Sequence, residues 1–264
     1  MCLDCGCNQP GNARIIPDPG QASQGHHHDH HHHHEPALND YHNLDSDEAK
    51  AKVLSRNRHI AEHNREHLDA RGVFCINLIS APGSGKTALL EQLLGDERLL
   101  GQTTVIEGDL ETENDAVRIR RAGAPAIQVN TGHGCHLDAH MIHNALHQAA
   151  VPEGGMLIIE NVGNMVCPAD FDLGEHHKIA MISCTEGDDK PAKYPGMIKA
   201  ASALLISKTD LLPHLDFDVA RCKQLALELN KDLAVFEVSA TTRTGIAPFA
   251  DWLEQQRHPL AVTT

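Results

Sequence analysis

From Gly72 onward the sequence alternates short apolar runs with segments of helical periodicity, and this alternation restricts the chain to few folds. The seven apolar runs are VFCINLIS, TTVIEG, AIQV, MLIIE, KIAMISC, ALLIS and LAVFEVS. Short apolar runs between helices form βαβ units, in which helices cover both faces of a parallel sheet. The sequence therefore predicts an α/β fold with an open, doubly wound, mostly parallel sheet of about seven strands.

The first 45 residues have a different composition from the rest of the chain. They are rich in Gly, Pro, Asn, Asp and His, and they show no apolar periodicity. Such composition cannot bury a core, so it predicts a disordered tail. From Ser46 to Gly72, apolar residues recur at helical spacing and predict one long helix. We therefore expect two parts: a Cys/His-rich tail, 1–45, and an α/β domain with an N-terminal helix, 46–264.

Composition excludes several classes of partner. The chain has 36 acidic and 22 basic residues and a formal net charge of −14, which argues against binding to nucleic acid or to an anionic membrane. No apolar run reaches the roughly 18 residues of a membrane-spanning helix, and no secretory signal is visible. Eight cysteines in such a chain indicate a reducing compartment, so we expect a cytoplasmic protein.

A candidate phosphate-binding loop follows the first apolar run. The run ends in SAPGSGKT, Ser80 to Thr87, and a helical pattern begins directly afterwards. Backbone N–H groups of such a loop, together with the helix N-terminus, bind phosphate oxygens. A lysine at this position contacts the β- and γ-phosphates, and the following hydroxyl binds Mg²⁺. The predicted nucleotide-binding residues are Gly83, Ser84, Gly85, Lys86 and Thr87, although Ser80 replaces the first glycine of the usual motif.

A second motif selects the base. The sixth run ends in SKTD, Ser207 to Asp210, where guanine-binding proteins usually have Asn-Lys-x-Asp. A carboxylate here accepts from guanine N1–H and the 2-amino group, a pair of donors that adenine lacks. The lysine stem covers the ring, and the later VSATTRTG loop contacts the base. The predicted guanine-site residues are Ser207, Lys208, Asp210, Ser239 and Ala240. Ser207 removes one contact that asparagine would make.

Two acids lie at carboxyl ends of predicted strands, where doubly wound folds bind their ligands. Glu160 ends the run MLIIE, and Asp109 follows TTVIEG. Both are candidate Mg²⁺ ligands or water-positioning groups, so the predicted catalytic set is Lys86, Asp109 and Glu160. The pattern is equally compatible with solvated acids at strand ends.

Cysteine and histidine form three candidate metal-binding groups. Cys2, Cys5 and Cys7 lie within six residues in CLDCGC, close enough to share one ion. Cys135, His136 and Cys167 follow two strands and could bind Zn²⁺ or Ni²⁺, but their spacing alone favours small buried cysteines. Gly25–Glu35 reads GHHHDHHHHHE; this internal, interrupted run favours a native metal-binding tract over a purification tag. Its histidines are His26, His27, His28, His30, His31, His32, His33 and His34.

Other cysteines and histidines have plainer interpretations. Cys75, Cys184 and Cys222 fall in apolar patterns and are predicted to be core residues. His59, His63 and His67 recur at i, i+4 and i+8 and are expected to face solvent. His136, His140, His143 and His147 give the helix CHLDAHMIHNALH one imidazole face. Exposure is the favoured interpretation for this face also, and accessory metal binding is the alternative.

The motifs CLDCGC, SAPGSGKT, EGDLETENDAVRI, QVNTGHGCHLDA, ENVGNMVCPADFDLGE, EGDDKPAKYP and SKTDLLPHLDFDV together closely resemble the HypB-type hydrogenase maturation GTPases. The resemblance covers residues 1–7 and nearly everything after residue 50. It implies a P-loop GTPase of the SIMIBI class that hydrolyses GTP slowly and loads nickel into [NiFe]-hydrogenase. It also implies metal binding at Cys2, Cys5 and Cys7 and, reversing the preference from spacing, at Cys135, His136 and Cys167.

The resemblance further implies partners. GTP would favour a homodimer, with Leu211 and Leu215 of DLLPHL, expected to be exposed, at the dimer contact. A HypA-type nickel chaperone and the hydrogenase large-subunit precursor would be the other partners, and the His-rich tract would store nickel. Two alternatives remain: a urease-type accessory GTPase, against which the cysteine-rich N-terminus argues, and a nickel storage protein whose nucleotide domain is incidental.

Overall fold

The computed structural model describes residues 14–16, 47–109, 113–132 and 134–261. Their strands are β1 (Arg14–Ile16), β2 (Phe74–Ser80), β3 (Thr103–Asp109), β4 (Ala126–Asn130), β5 (Met156–Glu160), β6 (His177–Ser183), β7 (Ala203–Ser207) and β8 (Ala234–Glu237). The helices are α1 (Asp47–Asp69), α2 (Lys86–Leu93), α3 (Asn114–Arg121), α4 (Ala139–Leu146), α5 (Cys167–Asp170), α6 (Lys190–Lys193), α7 (Pro195–Ala200), α8 (Val219–Leu229) and α9 (Ile246–Ala261), with a 3₁₀ helix at Thr209–His214.

The strands form one sheet in the order β1-β4-β3-β5-β2-β6-β7-β8. All seven apolar runs are strands, and they pair in parallel throughout. Strands β2, β5 and β7 are buried along their whole length, as expected for a sheet covered on both faces. The predicted doubly wound α/β fold is confirmed.

The eighth strand corrects the expectation for the N-terminal segment. Arg14–Ile16 lie inside the stretch predicted to be disordered, yet they pair antiparallel with β4, and Arg14 is opposite Asn130. Ile15 packs against a core cluster on one face of the sheet. A three-residue strand carries no periodicity of its own, because its stability comes from the neighbouring strand. Cys2, Cys5, Cys7 and the His-rich tract lie outside the described residues.

Helix α1 is joined to the domain by two buried asparagines. The Asn57 side chain accepts from Ala139 N–H at 2.8 Å and donates to Asp172 C=O at 2.7 Å. Asn64 donates to Ala139 C=O at 2.8 Å and to Leu173 C=O at 3.0 Å. The Asn57 side chain thereby satisfies the Ala139 N–H, a group that helix geometry leaves open at the start of α4. Helix α1 is therefore fixed in register against α4.

Three further sequence expectations concern exposure and membrane crossing. Cys75, Cys184 and Cys222 are buried, as predicted. Leu211 and Leu215 were expected to be exposed, but both are half-buried, and Leu215 packs against a core cluster. Within the described ranges, no helix combines the length and apolar character needed to cross a membrane.

Replacement of Asn57 by alanine tests the connection between α1 and the domain. We expect the free energy of unfolding to fall by about 1–3 kcal/mol, because the substitution leaves the Ala139 N–H and the Asp172 C=O without their partner. Urea unfolding followed by circular dichroism measures the change. Glu62→Ala, on the exposed side of the same helix, is the control and should change stability by less than about 0.5 kcal/mol. Equal stability of the Asn57→Ala and Glu62→Ala proteins would contradict this account.

Candidate functional site

The loop between β2 and α2 has the conformation of a phosphate loop. Gly83 and Gly85 have φ angles of +72° and +99°, which residues other than glycine rarely adopt. Lys86 is buried and donates to Ser80 Oγ at 3.1 Å. The Ser84 hydroxyl also donates to Ser80 Oγ. Ser80, which replaces the first glycine of the motif, therefore joins the lysine to the loop through its hydroxyl.

A cavity of about 360 Å³ opens above this loop at the carboxyl edge of the sheet. It is lined by Pro82, Gly83, Gly85, Lys86, Thr87, Ala88, Gly108, Asp109, Asp115, Arg118, Glu160, Asn161, Val162 and Gly163. All the predicted catalytic residues therefore line one cavity. The Thr87 hydroxyl donates to Glu160 Oε1 at 2.9 Å. Hydroxyl and carboxylate oxygens are the ligands that Mg²⁺ prefers, so Thr87, Asp109 and Glu160 form a suitable donor set.

Glu107 is a residue of the site that the sequence analysis missed. It lies on β3 directly opposite Glu160 on β5, and both carboxyl groups are buried. Two neighbouring buried carboxyl groups favour sharing one proton over carrying two like charges. Burial, followed by the charge of Glu160, raises the pKa of Glu107 well above its usual value. Burial also raises the pKa of Glu160, against the opposing charge of Lys86.

The predicted guanine loops contact the phosphate loop directly. The Ser207 hydroxyl donates to Ser84 C=O at 2.8 Å, and Lys208 Nζ donates to Gly83 C=O at 2.7 Å. Lys208 has a φ of +59°, in the left-handed region. The Ser239 hydroxyl donates to Asp210 Oδ1 at 2.6 Å, so it orients that carboxylate. Ala240 follows Ser239 and is half-buried. These loops and the phosphate loop therefore form one continuous surface.

Cys135, His136 and Cys167 meet in space, although 30 residues lie between His136 and Cys167. Cys135 Sγ lies 3.2 Å from Cys167 Sγ and 3.5 Å from His136 Nδ1. Among the described residues this is the one group whose three ligand atoms all lie within 4.8 Å of one another. Two sulfurs and one imidazole suit Zn²⁺ or Ni²⁺, and three protein ligands leave a coordination position open.

Neighbouring groups hold the three side chains in place. Asn164 Nδ2 donates to Cys167 Sγ at 3.1 Å, and the buried His136 ring packs on Phe171 with centroids 4.0 Å apart. Burial and the thiol of Cys135 raise the pKa of Cys167 to about 12. A bound divalent cation would reverse this shift, because it stabilises the thiolate that ligates it.

One short segment connects the cavity to this cluster. Gly163 packs so closely on Pro82 that a Cβ on it would lie 2.8 Å from Pro82 Cα. The Asn161 side chain, which lines the cavity, accepts from Leu137 N–H at 3.1 Å, next to His136. Residues 160–167 therefore contact the phosphate loop at one end and carry a metal-ligand candidate at the other. The sequence placed Glu160 and Cys167 on this segment but gave no indication of the Asn161 contact.

A phosphate loop at the carboxyl edge of a doubly wound parallel sheet defines a P-loop nucleotide-binding protein. Residues 74–237 match the family model described as CobW/HypB/UreG, nucleotide-binding domain. The chain therefore belongs to the CobW/HypB/UreG family, as a HypB-type member. The family resemblance inferred from the sequence is thereby confirmed.

Three similar proteins illustrate this membership. The hydrogenase maturation factor HypB of Azotobacter vinelandii is 54% identical over 208 residues, which cover 78% of this chain and 68% of that protein. The hydrogenase/urease maturation factor HypB of Helicobacter hepaticus is 42% identical, over 78% of this chain and 86% of that protein. The crystal structure of HypB from Helicobacter pylori in complex with nickel is 36% identical, with a TM-score of 0.74, over 77% of this chain and 96% of that one.

Replacement of Glu107 by glutamine tests the shared proton. Because the folded protein retains a proton that the unfolded chain loses above its usual glutamate pKa of 4.5, wild-type stability should fall as pH rises from 4.5 to 7. The maximum slope for one proton is about 1.4 kcal/mol per pH unit. Glutamine keeps a hydrogen-bond donor but cannot ionise. The stability of the Glu107→Gln protein should therefore fall less steeply as pH rises. Urea unfolding at pH 5, 6 and 7 gives both slopes, and equal slopes would contradict the shared proton.

Proposed function

We propose that this chain is a nickel-binding GTPase that delivers nickel during maturation of [NiFe]-hydrogenase. The observation that carries the proposal is the segment 160–167. It ties a cavity with a phosphate loop to a Cys/His cluster through the Thr87–Glu160 hydrogen bond and the Gly163–Pro82 contact. The names of the similar proteins, hydrogenase maturation factor and HypB in complex with nickel, support the choice of client and cargo.

The nucleotide half of the function uses the phosphate and guanine loops. Lys86 and the N–H groups of residues 83–87 bind the phosphates, and the α2 N-terminus adds its partial positive charge. Asp210, oriented by Ser239, accepts the two guanine N–H donors, while the Lys208 stem covers the ring. Ser207 and Ala240 complete the loops around the base. GTP is therefore the proposed nucleotide.

Hydrolysis follows from the acids that line the cavity. Mg²⁺ held by Thr87, Asp109 and Glu160 would offset the charge of the phosphates. The same two carboxylates are positioned to orient the attacking water from the sheet edge. Among the described residues that line the cavity, Lys86 and Arg118 carry the positive charges. A slow GTPase, which switches between two states rather than turning over rapidly, is the proposed activity.

The metal half of the function uses Cys135, His136 and Cys167. Three protein ligands would leave a fourth coordination position of the ion open, through which the ion could be exchanged. Nickel and zinc both suit these ligands, so affinity alone does not choose between them. The tail residues Cys2, Cys5 and Cys7 are proposed to bind nickel tightly. The His-rich tract would hold further ions, because many weak imidazole ligands at high local density raise avidity.

Transfer requires partners. A GTP-favoured homodimer with Leu211 and Leu215 at the contact is proposed. The half-buried state of both leucines means that each offers only part of its side chain to a partner. A HypA-type chaperone and the hydrogenase large-subunit precursor, in the cytoplasm, would supply and receive the ion.

Coupling between the two sites is the first test. In protein with Cys2, Cys5 and Cys7 changed to serine, nickel should change the affinity for GTP or GDP by about 5–150-fold, the usual range for linked sites. Fluorescent nucleotide titration with and without nickel measures this factor. Unchanged affinities for both nucleotides would refute the coupling.

Gly163→Ala tests the route of that coupling. The added Cβ must push the segment away from Pro82, so we expect most of the nickel effect on nucleotide affinity to be lost. Gly196→Ala is the matched control, because its Cβ meets nothing within 4 Å. An intact nickel effect in Gly163→Ala would show that coupling runs elsewhere.

The client is tested in cells that lack this protein, with hydrogenase and urease activities measured at low and high nickel. We expect hydrogenase activity to be lost and to return with excess nickel. The name of the Helicobacter hepaticus relative makes urease the specific alternative. Intact hydrogenase with lost urease would favour that client, and lowered nickel tolerance alone would favour storage.

A further inference from the structure

Helices α1 and α4 bring four histidines together on a face of the domain that the proposed function does not use. His63 and His67 are four residues apart on α1, and His143 and His147 are four residues apart at α4. The His143 ring lies 5.3 Å from the His63 ring and 4.7 Å from the His147 ring, between centroids. These four residues are called the paired-histidine cluster. Two histidines at i and i+4 share one helical face and can chelate one metal ion.

The distance between the facing nitrogens matches a metal chelate. His143 Nε2 lies 3.2 Å from His147 Nε2. An ion with tetrahedral geometry and metal–nitrogen bonds of about 2.0–2.1 Å places two imidazole nitrogens about 3.3 Å apart. In the metal-free protein one proton can occupy this position in an N–H···N hydrogen bond. Replacement of that proton by a cation therefore needs little movement of either ring.

The surrounding hydrogen bonds fix the tautomer of His143. Asn64 Nδ2 donates to two carbonyl groups, Ala139 C=O and Leu173 C=O, so its Oδ1 is the atom that faces His143 Nδ1, at 3.1 Å. Because Oδ1 only accepts, Nδ1 carries the hydrogen and Nε2 carries the lone pair. Metal-binding histidines typically donate their second N–H to a carbonyl or carboxylate oxygen in this way.

Charge and exposure also suit a metal ligand. Burial, followed by the neighbouring histidines His147 and His63, lowers the pKa of His143 to about 4, so the ring is neutral at physiological pH. Burial, Arg71 and His147 lower the pKa of His67. The positive charge of Arg71 is offset by Glu153, 2.8 Å away. His67 and His147 are exposed, so an ion can reach the cluster from solvent.

We propose that His143 and His147 chelate a divalent late transition ion, Ni²⁺ or Zn²⁺, with His67 as the third ligand and His63 packed against the chelate. His67 reaches the ion by a rotation of its exposed side chain, a motion that takes place in nanoseconds or less. The site is separate from Cys135, His136 and Cys167 and needs no nucleotide. It stands independently of the hydrogenase assignment.

The test uses the full-length protein with free Ni²⁺ or Zn²⁺ set by an excess of weak chelator. Diethyl pyrocarbonate modifies accessible neutral histidines, and peptide mass spectrometry reports each position separately, so metal bound elsewhere in the chain does not obscure the result. We expect either ion to protect His67 and His147 together, with one midpoint. His214, exposed on the 3₁₀ helix, should not be protected at that midpoint. Equal protection of His214 would overturn the proposal.

Single substitutions test whether the ligands act together. Exposed His147→Gln should raise the metal concentration that protects His67 at least tenfold, and buried His143→Gln should do the same. His214→Gln is the matched surface control and should leave the midpoint unchanged. His147→Gln avoids the fold defect that a change at buried His143 can cause. An unchanged His67 midpoint in His147→Gln would overturn the proposal.

Discussion

The arrangement of both candidate sites depends on the parallel pairing of β2 with β5. Parallel neighbours end at the same edge of a sheet, so the phosphate loop after β2 and the segment after β5 leave side by side. The contact is so close that position 163 has no room for a Cβ against Pro82. A movement of either loop toward the other must therefore displace it, because packed protein interiors resist compression.

The two candidate sites along this segment differ in the chemistry of their donors. Near β5 the donors are oxygens of Thr87, Asp109 and Glu160, which suit a hard cation. At the far end they are sulfur and imidazole nitrogen from Cys135, His136 and Cys167, which suit a softer one. The difference in donor atoms therefore allows the two neighbouring sites to bind different cations.

The strongly periodic parts of the fold could be predicted from the sequence, and contacts between distant segments could not. Seven apolar runs predicted seven parallel strands, and SAPGSGKT predicted the phosphate loop. Strand β1 escaped prediction because three residues carry no pattern. Glu107 was missed because a single acid at the end of an apolar run carries no signal of its own. Its place in the site depends on the pairing of β3 with β5, which puts it opposite Glu160. The α4 histidine face was expected to be exposed, yet two of its four histidines are buried. His136 precedes α4 and packs on Phe171, and His143 on α4 packs against α1.

The antiparallel direction of β1 sets a limit on the reach of the N-terminal thiols. Because Arg14 is opposite Asn130, the last residue of β4, it lies at the carboxyl edge of the sheet, where the cavity also opens. Cys7 precedes Arg14 by seven positions, so even a fully extended chain places their Cα atoms at most about 25 Å apart. Cys135 follows Asn130 by five residues, so the chain reaches it from the same edge of the sheet at which Arg14 lies.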